Sequence, residues 1–129
     1  MSGDAETTGE GRGSVEAVAR VALGLPGAVQ GAHFDTPDFR VGGRIFCTAR
    51  TREPLAMVKL PQEIQTAVMI QRPEAITPAA GAWGRGGATL VRIDLVPADL
   101  LADLIVSAWR HAAPESLVAA YLADQERPQ

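Results

Sequence analysis

Side chains able to act as nucleophile, base or ligand are few in this chain, and their spacing limits what they can do. His33 and His111 are the only histidines, and Cys47 is the only cysteine. A zinc-type site needs three or four such ligands at short spacings, so no metal is expected. His111 falls late in a helical stretch, where a cation interacts favourably with the helix dipole. Covalent catalysis requires a nucleophile, a base within reach and an orienting acid. Cys47 sits in a strand pattern and reads as a small buried hydrophobe, and no Gly-x-Ser-x-Gly elbow is present. His33-Phe34-Asp35 sets a base and an acid two residues apart, on one side of an extended strand; a fold contact or a turn-forming Asp is the simpler account. Asp35, Asp38 and Asp94 are scattered, whereas two-metal hydrolysis wants clustered carboxylates. Gly84-Arg85-Gly86-Gly87 is glycine-rich, but phosphate loops lead into a helix and this one leads into a strand pattern. A wide turn with Trp83 packed on the sheet is the expectation there. No enzymatic activity and no cofactor are expected.

The remaining chemistry belongs to the cations. The chain carries a net charge of −3, but the charge is uneven. Residues 1–37 hold two Arg against five acids, and residues 96–129 hold the same; residues 38–95 hold eight Lys/Arg against five acids. Arg40, Arg44, Arg50, Arg52, Lys59, Arg85 and Arg92 fall on strands or their turns in that middle stretch. Arginines at hairpin tips can reach phosphates, which supply most non-specific affinity for DNA. A solvated sheet rim that blocks edge pairing would use the same residues.

These groups must be positioned by one domain. A length of 129 residues with 47% hydrophobic and 21% charged residues is that of an ordinary single domain. Residues 1–13 are polar and aperiodic and read as a disordered leader; residues 14–124 read as the domain and 125–129 as a frayed end. The start lacks a basic, apolar secretory signal, and no run approaches the roughly 18 apolar residues of a spanning helix. A cytoplasmic location is expected.

Ser14 caps a helix over 14–24 that Gly24, Pro26 and Gly27 end. Gly42-Gly43 marks a tight hairpin pairing Val41 with Arg44, Arg40 with Ile45 and Phe39 with Phe46. A third strand spans 55–60, and Pro61 opens a helix that Pro73 stops. Residues 75–78 read as a short edge strand, 79–87 as a loop and 88–95 as the strongest strand. Pro97 opens a long helix with a wide apolar stripe from Leu100 to Ala112, and a short helix follows Pro114. The order is α-β-β-β-α-β-β-α-α, an α+β antiparallel sheet covered by helices.

Taken in sequence, Leu25-Pro26-Gly27, His33-Phe34, Pro37, Phe39-Arg40-Val41-Gly42-Gly43-Arg44-Ile45-Phe46, Lys59-Leu60-Pro61, Trp83-Gly84-Arg85-Gly86-Gly87, Val91-Arg92-Ile93-Asp94 and Ala113-Pro114 resemble the MmcQ/YjbR-like family. The likeness runs from about 15 to 124. It implies a secretion-chaperone-like α+β fold and, from the double-wing shape ascribed to members, DNA binding. The chain departs after Gly86-Gly87, where members tend to carry a second Trp and this one has Ala88.

The leading expectation is therefore a DNA-binding accessory protein that contacts mainly the phosphate backbone through Arg40, Arg44, Arg50, Arg52, Lys59, Arg85 and Arg92. A protein- or peptide-binding module is the alternative, resting on an exposed patch of Phe34, Phe39, Trp83 and Val91. A small-molecule binder with His33, Asp35, Lys59, Trp83 and Arg85 around a pocket is a third. No membrane partner is expected, and both monomer and dimer remain open.

Overall fold

A computed structural model describes residues 13–33 and 36–126, with only the backbone of His33. Phe34, Asp35 and residues 1–12 of the expected leader lie outside the described residues. The chain folds as α1 (Val15–Leu23), β1 (Val29–His33), β2 (Thr36–Val41), β3 (Arg44–Arg50), β4 (Leu55–Lys59), α2 (Gln62–Gln71), β5 (Ile76–Pro78), α3 (Gly81–Arg85), β6 (Ala88–Arg92), a 3-10 turn (Ile93–Leu95), α4 (Ala98–Ala112) and α5 (Glu115–Gln125). Every strand pairing is antiparallel, in the order β1-β2-β3-β4-β6-β5. This is the expected α+β class with one more strand and one more helix.

The local causes are legible. The Ser14 hydroxyl accepts the Ala17 N–H at 3.1 Å and starts α1, and Gly27, at φ +72°, carries the reversal after it. Gly42 and Gly43 both take positive φ, which the primed hairpin turn demands and β-carbons resist. Val41 opposes Arg44 and Arg40 opposes Ile45, as expected, but Phe39 opposes Cys47 rather than Phe46. Phe46 is an extra residue in β3 at a bulge. Strict alternation would send one of these neighbours to each face; the bulge lets both Phe46 and Cys47 enter the core, where each is fully buried.

One face of the sheet carries Phe39, Cys47, Ala49, Ala56, Val58, Ile76 and Val91, all buried. Helices α1 and α4 pack on each other and on β3 and β4 to cover it. Leu101, Leu104, Ile105 and Ala108 of α4 supply the opposing layer. Trp109 is fully buried, donates its indole N–H to the Pro26 carbonyl at 2.9 Å, and meets Tyr121 of α5 edge-on at 5.1 Å. The long strand expected over 88–95 stops at Arg92, and Asp94 lies in the 3-10 turn.

The strand directions give the sheet two ends. The Gly42–Gly43 turn, the start of α2 and the β5–β6 connection with α3 share one end, here the turn end. The β3–β4 turn and the 3-10 segment share the other.

Candidate nucleic-acid interface

Period-two alternation and the register assign the open face of the sheet. Arg40 opposes Ile45, Thr48 opposes Met57, Met57 opposes Leu90, and Leu55 stands between Arg50 and Arg92. Ile45, Thr48, Leu55, Met57 and Leu90 are half-buried there. Beside them Arg40 grips Asp38 with two hydrogen bonds, Nε to Oδ1 at 2.9 Å and Nη2 to Oδ2 at 3.1 Å. The Asp38 side chain is fully buried, and that hydrogen bond, followed by the charge attraction, raises the Arg40 pKa above its ordinary value. Arg40 thus serves a buried carboxylate before any ligand.

The other six cations divide by end. At the far end Arg50 pairs with Glu53 at 2.9 Å, and Arg92 approaches Asp94 at 3.7 Å. Arg52 is exposed on the same β3–β4 turn, beside a groove of about 440 Å³ that runs from Thr36 to Glu53. At the turn end stand Arg44, Lys59 and Arg85, all exposed and without an ion pair among the described residues. Their closeness follows from the backbone. Lys59 opposes Ala88, the Leu60 N–H donates to the Gly87 carbonyl at 2.9 Å, and the Gln62 side-chain amide donates to the Arg85 carbonyl at 3.0 Å. With roughly 5 Å between strands, the backbones of these residues span about 10–15 Å along this end, with Arg44 on the helix-covered side of the sheet and Lys59 on the open side by period-two alternation. The expected single platform of seven does not form, because the cations sit at opposite ends of the sheet and, at the far end, Arg50 and Arg92 have acidic neighbours two or three residues away.

Trp83 was expected to pack on the sheet, and it does the reverse. It is 77% exposed, on α3 within the stretch expected as a loop. The inward position is taken by Gly84, which is buried and lies so close to the Ala79 carbonyl that a β-carbon would collide with it. Gln65 then holds the segment from below: its amide donates to the Gly84 carbonyl at 2.9 Å and lies within reach of Thr89 Oγ1 at 3.1 Å. Gly87, at φ +109°, passes against the Leu60 carbonyl, where again no side chain fits. The indole is turned outward on a tightly held base.

Neither alternative site assembles from its expected residues. Phe39 and Val91 are buried and Phe34 lies outside the described residues, so the expected apolar patch leaves Trp83 alone. His33 lies at the far end of β1, three strands from Lys59 on β4, and Asp35 is outside the described residues; His33 and Lys59 do not line one pocket. Among the described residues no three His, Cys, Asp or Glu side chains gather as a metal site, and no helix is long and apolar enough to cross a membrane. Sequence reasoning missed Gln62 and Gln65. The inward placement of Gln65 among Ile64 and Val68 was the available signal.

Residues 23–111 match the model of the YjbR family, well over half of the chain. The chain belongs to the YjbR family. A solved structure agrees on the fold: the Deinococcus radiodurans protein DR2400, with a DUF419 domain, superposes with a TM-score of 0.66 at 23% identity, over 76% of this chain and 77% of that one. No curated protein matches. The YjbR match spans the hairpin, the Lys59 strand and the α3 segment, so all three turn-end cations lie within it.

Proposed function

We propose that this YjbR-family chain binds the phosphate backbone of nucleic acid through the turn end of its sheet. The observation that carries the reading is the grouping of Arg44, Lys59 and Arg85, exposed and unpaired among the described residues, along one sheet end. Phosphate contacts of this kind position a protein without reading sequence. Glu63 and Glu115, in the first turns of α2 and α5, stand at the same end and oppose the attraction. Affinity is accordingly weak and strongly dependent on salt.

Three neutralised phosphates give a log–log salt slope of about −2 to −3. Raising salt from 50 to 200 mM then lowers affinity roughly 16- to 64-fold. Fluorescence anisotropy with labelled DNA at the two concentrations is the test. Absence of binding at micromolar protein in 50 mM salt removes the reading.

A second reading rests on the open face. Ile45, Leu55, Met57 and Leu90 form a half-buried apolar strip that none of the described helices covers, and a partner protein segment would dock there. A pull-down that recovers a stoichiometric partner, lost on Met57→Glu, supports it; a partner retained by that variant argues against it.

A further inference from the structure

An indole left 77% exposed forgoes much of the burial that normally holds tryptophan in place. Here the exposure is enforced. Gly84 occupies the inward position on α3, Gln65 ties the Gly84 carbonyl from below, Gln62 ties the Arg85 carbonyl, and Gly87 is locked against Leu60. Four separate contacts fix a five-residue helix whose largest side chain faces solvent. Cations belong to the same segment: Arg85 lies two residues on, on another side of the short helix, and the strand of Lys59 is joined to the segment through the Leu60–Gly87 hydrogen bond.

An exposed aromatic face on a segment that also carries unpaired cations offers what single-stranded nucleic acid uses, bases stacking on the ring and phosphates reaching the cations. Duplex DNA offers only phosphates at such a surface, because its bases are already stacked. We infer that Trp83 is a stacking platform for an unpaired nucleobase, flanked by Arg85 and Lys59 for the adjoining phosphates, so that the preferred ligand is single-stranded rather than duplex. This rests on the phosphate-binding reading above and adds the base to it.

The test uses the full chain with a 16-nucleotide oligo-dT, a 16-base-pair duplex and an abasic strand of the same length, all at 50 mM salt. The expected result is tighter binding of oligo-dT than of the other two, with quenching of tryptophan emission. Trp109 is buried, so the quenching resides in Trp83 and disappears in Trp83→Phe. Trp83→Ala is expected to lose roughly 5- to 150-fold in oligo-dT affinity, the range for one stacked base. It keeps its duplex affinity, and Trp83→Phe retains most of the single-strand binding. Oligo-dT affinity unchanged in Trp83→Ala, or equal binding of oligo-dT and the abasic strand, overturns the stacking inference and leaves backbone binding standing. No binding of any of the three overturns both.

Discussion

Burial pushes the Cys47 thiol up to about 12 from an ordinary 9.0. The thiolate is the reactive form, so native protein should resist iodoacetamide at neutral pH and react only on unfolding; rapid alkylation of native protein would contradict its place in the core. The same shift has a signed consequence for stability. Between about pH 9 and pH 12 the unfolded thiol ionises and the folded one does not, so the unfolded state loses the proton first. Stability therefore falls as pH rises through that window, by up to about 1.4 kcal/mol per unit from this group. Urea unfolding at pH 8 and pH 10, compared with Cys47→Ala, reads it: the variant should lack this slope. Gln65 is the other residue with a sharp expectation. Its amide serves the Gly84 carbonyl and Thr89 from a buried position. Gln65→Ala should cost about 1–3 kcal/mol by leaving such groups unpaired, measured by urea denaturation. Cys47 was readable as a buried residue from its strand context. The role of Gln65 was not, because its partners are backbone carbonyls 19 and 23 residues away.

Elements announced themselves where their signals were local. Ser14, the Gly42–Gly43 turn, the edge proline Pro78 and the apolar stripe of α4 each encode an element within a few residues, and each element formed. β1 gave no such signal: Val29–His33 is an edge strand held only by β2, and without a second neighbour it carries little hydrophobic alternation. The bulge at Phe46 was equally hidden, since it depends on the core accepting two adjacent side chains from one strand. α3 was missed because Gly81, Gly84 and Gly86 mimic a loop composition while tertiary hydrogen bonds impose a helix. This makes Gly87→Ala a test of the segment: positive φ and contact with Leu60 together should cost about 1–3 kcal/mol and loosen α3, seen as faster amide exchange at Gly84–Ala88. At the junction of α4 with the α1–β1 connection, Trp109→Phe should cost about 1–2 kcal/mol through the orphaned Pro26 carbonyl, read as a lowered urea midpoint.

Across the whole molecule the antiparallel topology divides the cations of the basic middle between two ends, with Glu63 and Glu115 also at the turn end. Arg44, Lys59 and Arg85 lie at the turn end, and the last turns of α1 and α4 bring Arg20 and Arg110 toward it. Glu53, Asp94 and Asp99 lie at the far end, where Arg50 and Arg92 are already engaged. The sequence showed a basic middle and acidic flanks; only the sheet order reveals that the basic middle splits into a turn-end group without ion pairs among the described residues and a far-end group in which Arg50 and Arg92 are paired. Two combined variants separate these groups. Arg44→Ala, Lys59→Ala and Arg85→Ala make the first; Arg50→Ala, Arg52→Ala and Arg92→Ala make the second, with the same change in net charge. Measuring DNA affinity against salt for both is the most direct test. The first is expected to bring the salt slope close to zero, and the second to leave it within about one unit of the parent. Equal losses from the two variants would mean that net charge, not the turn end, governs binding, and would contradict the account.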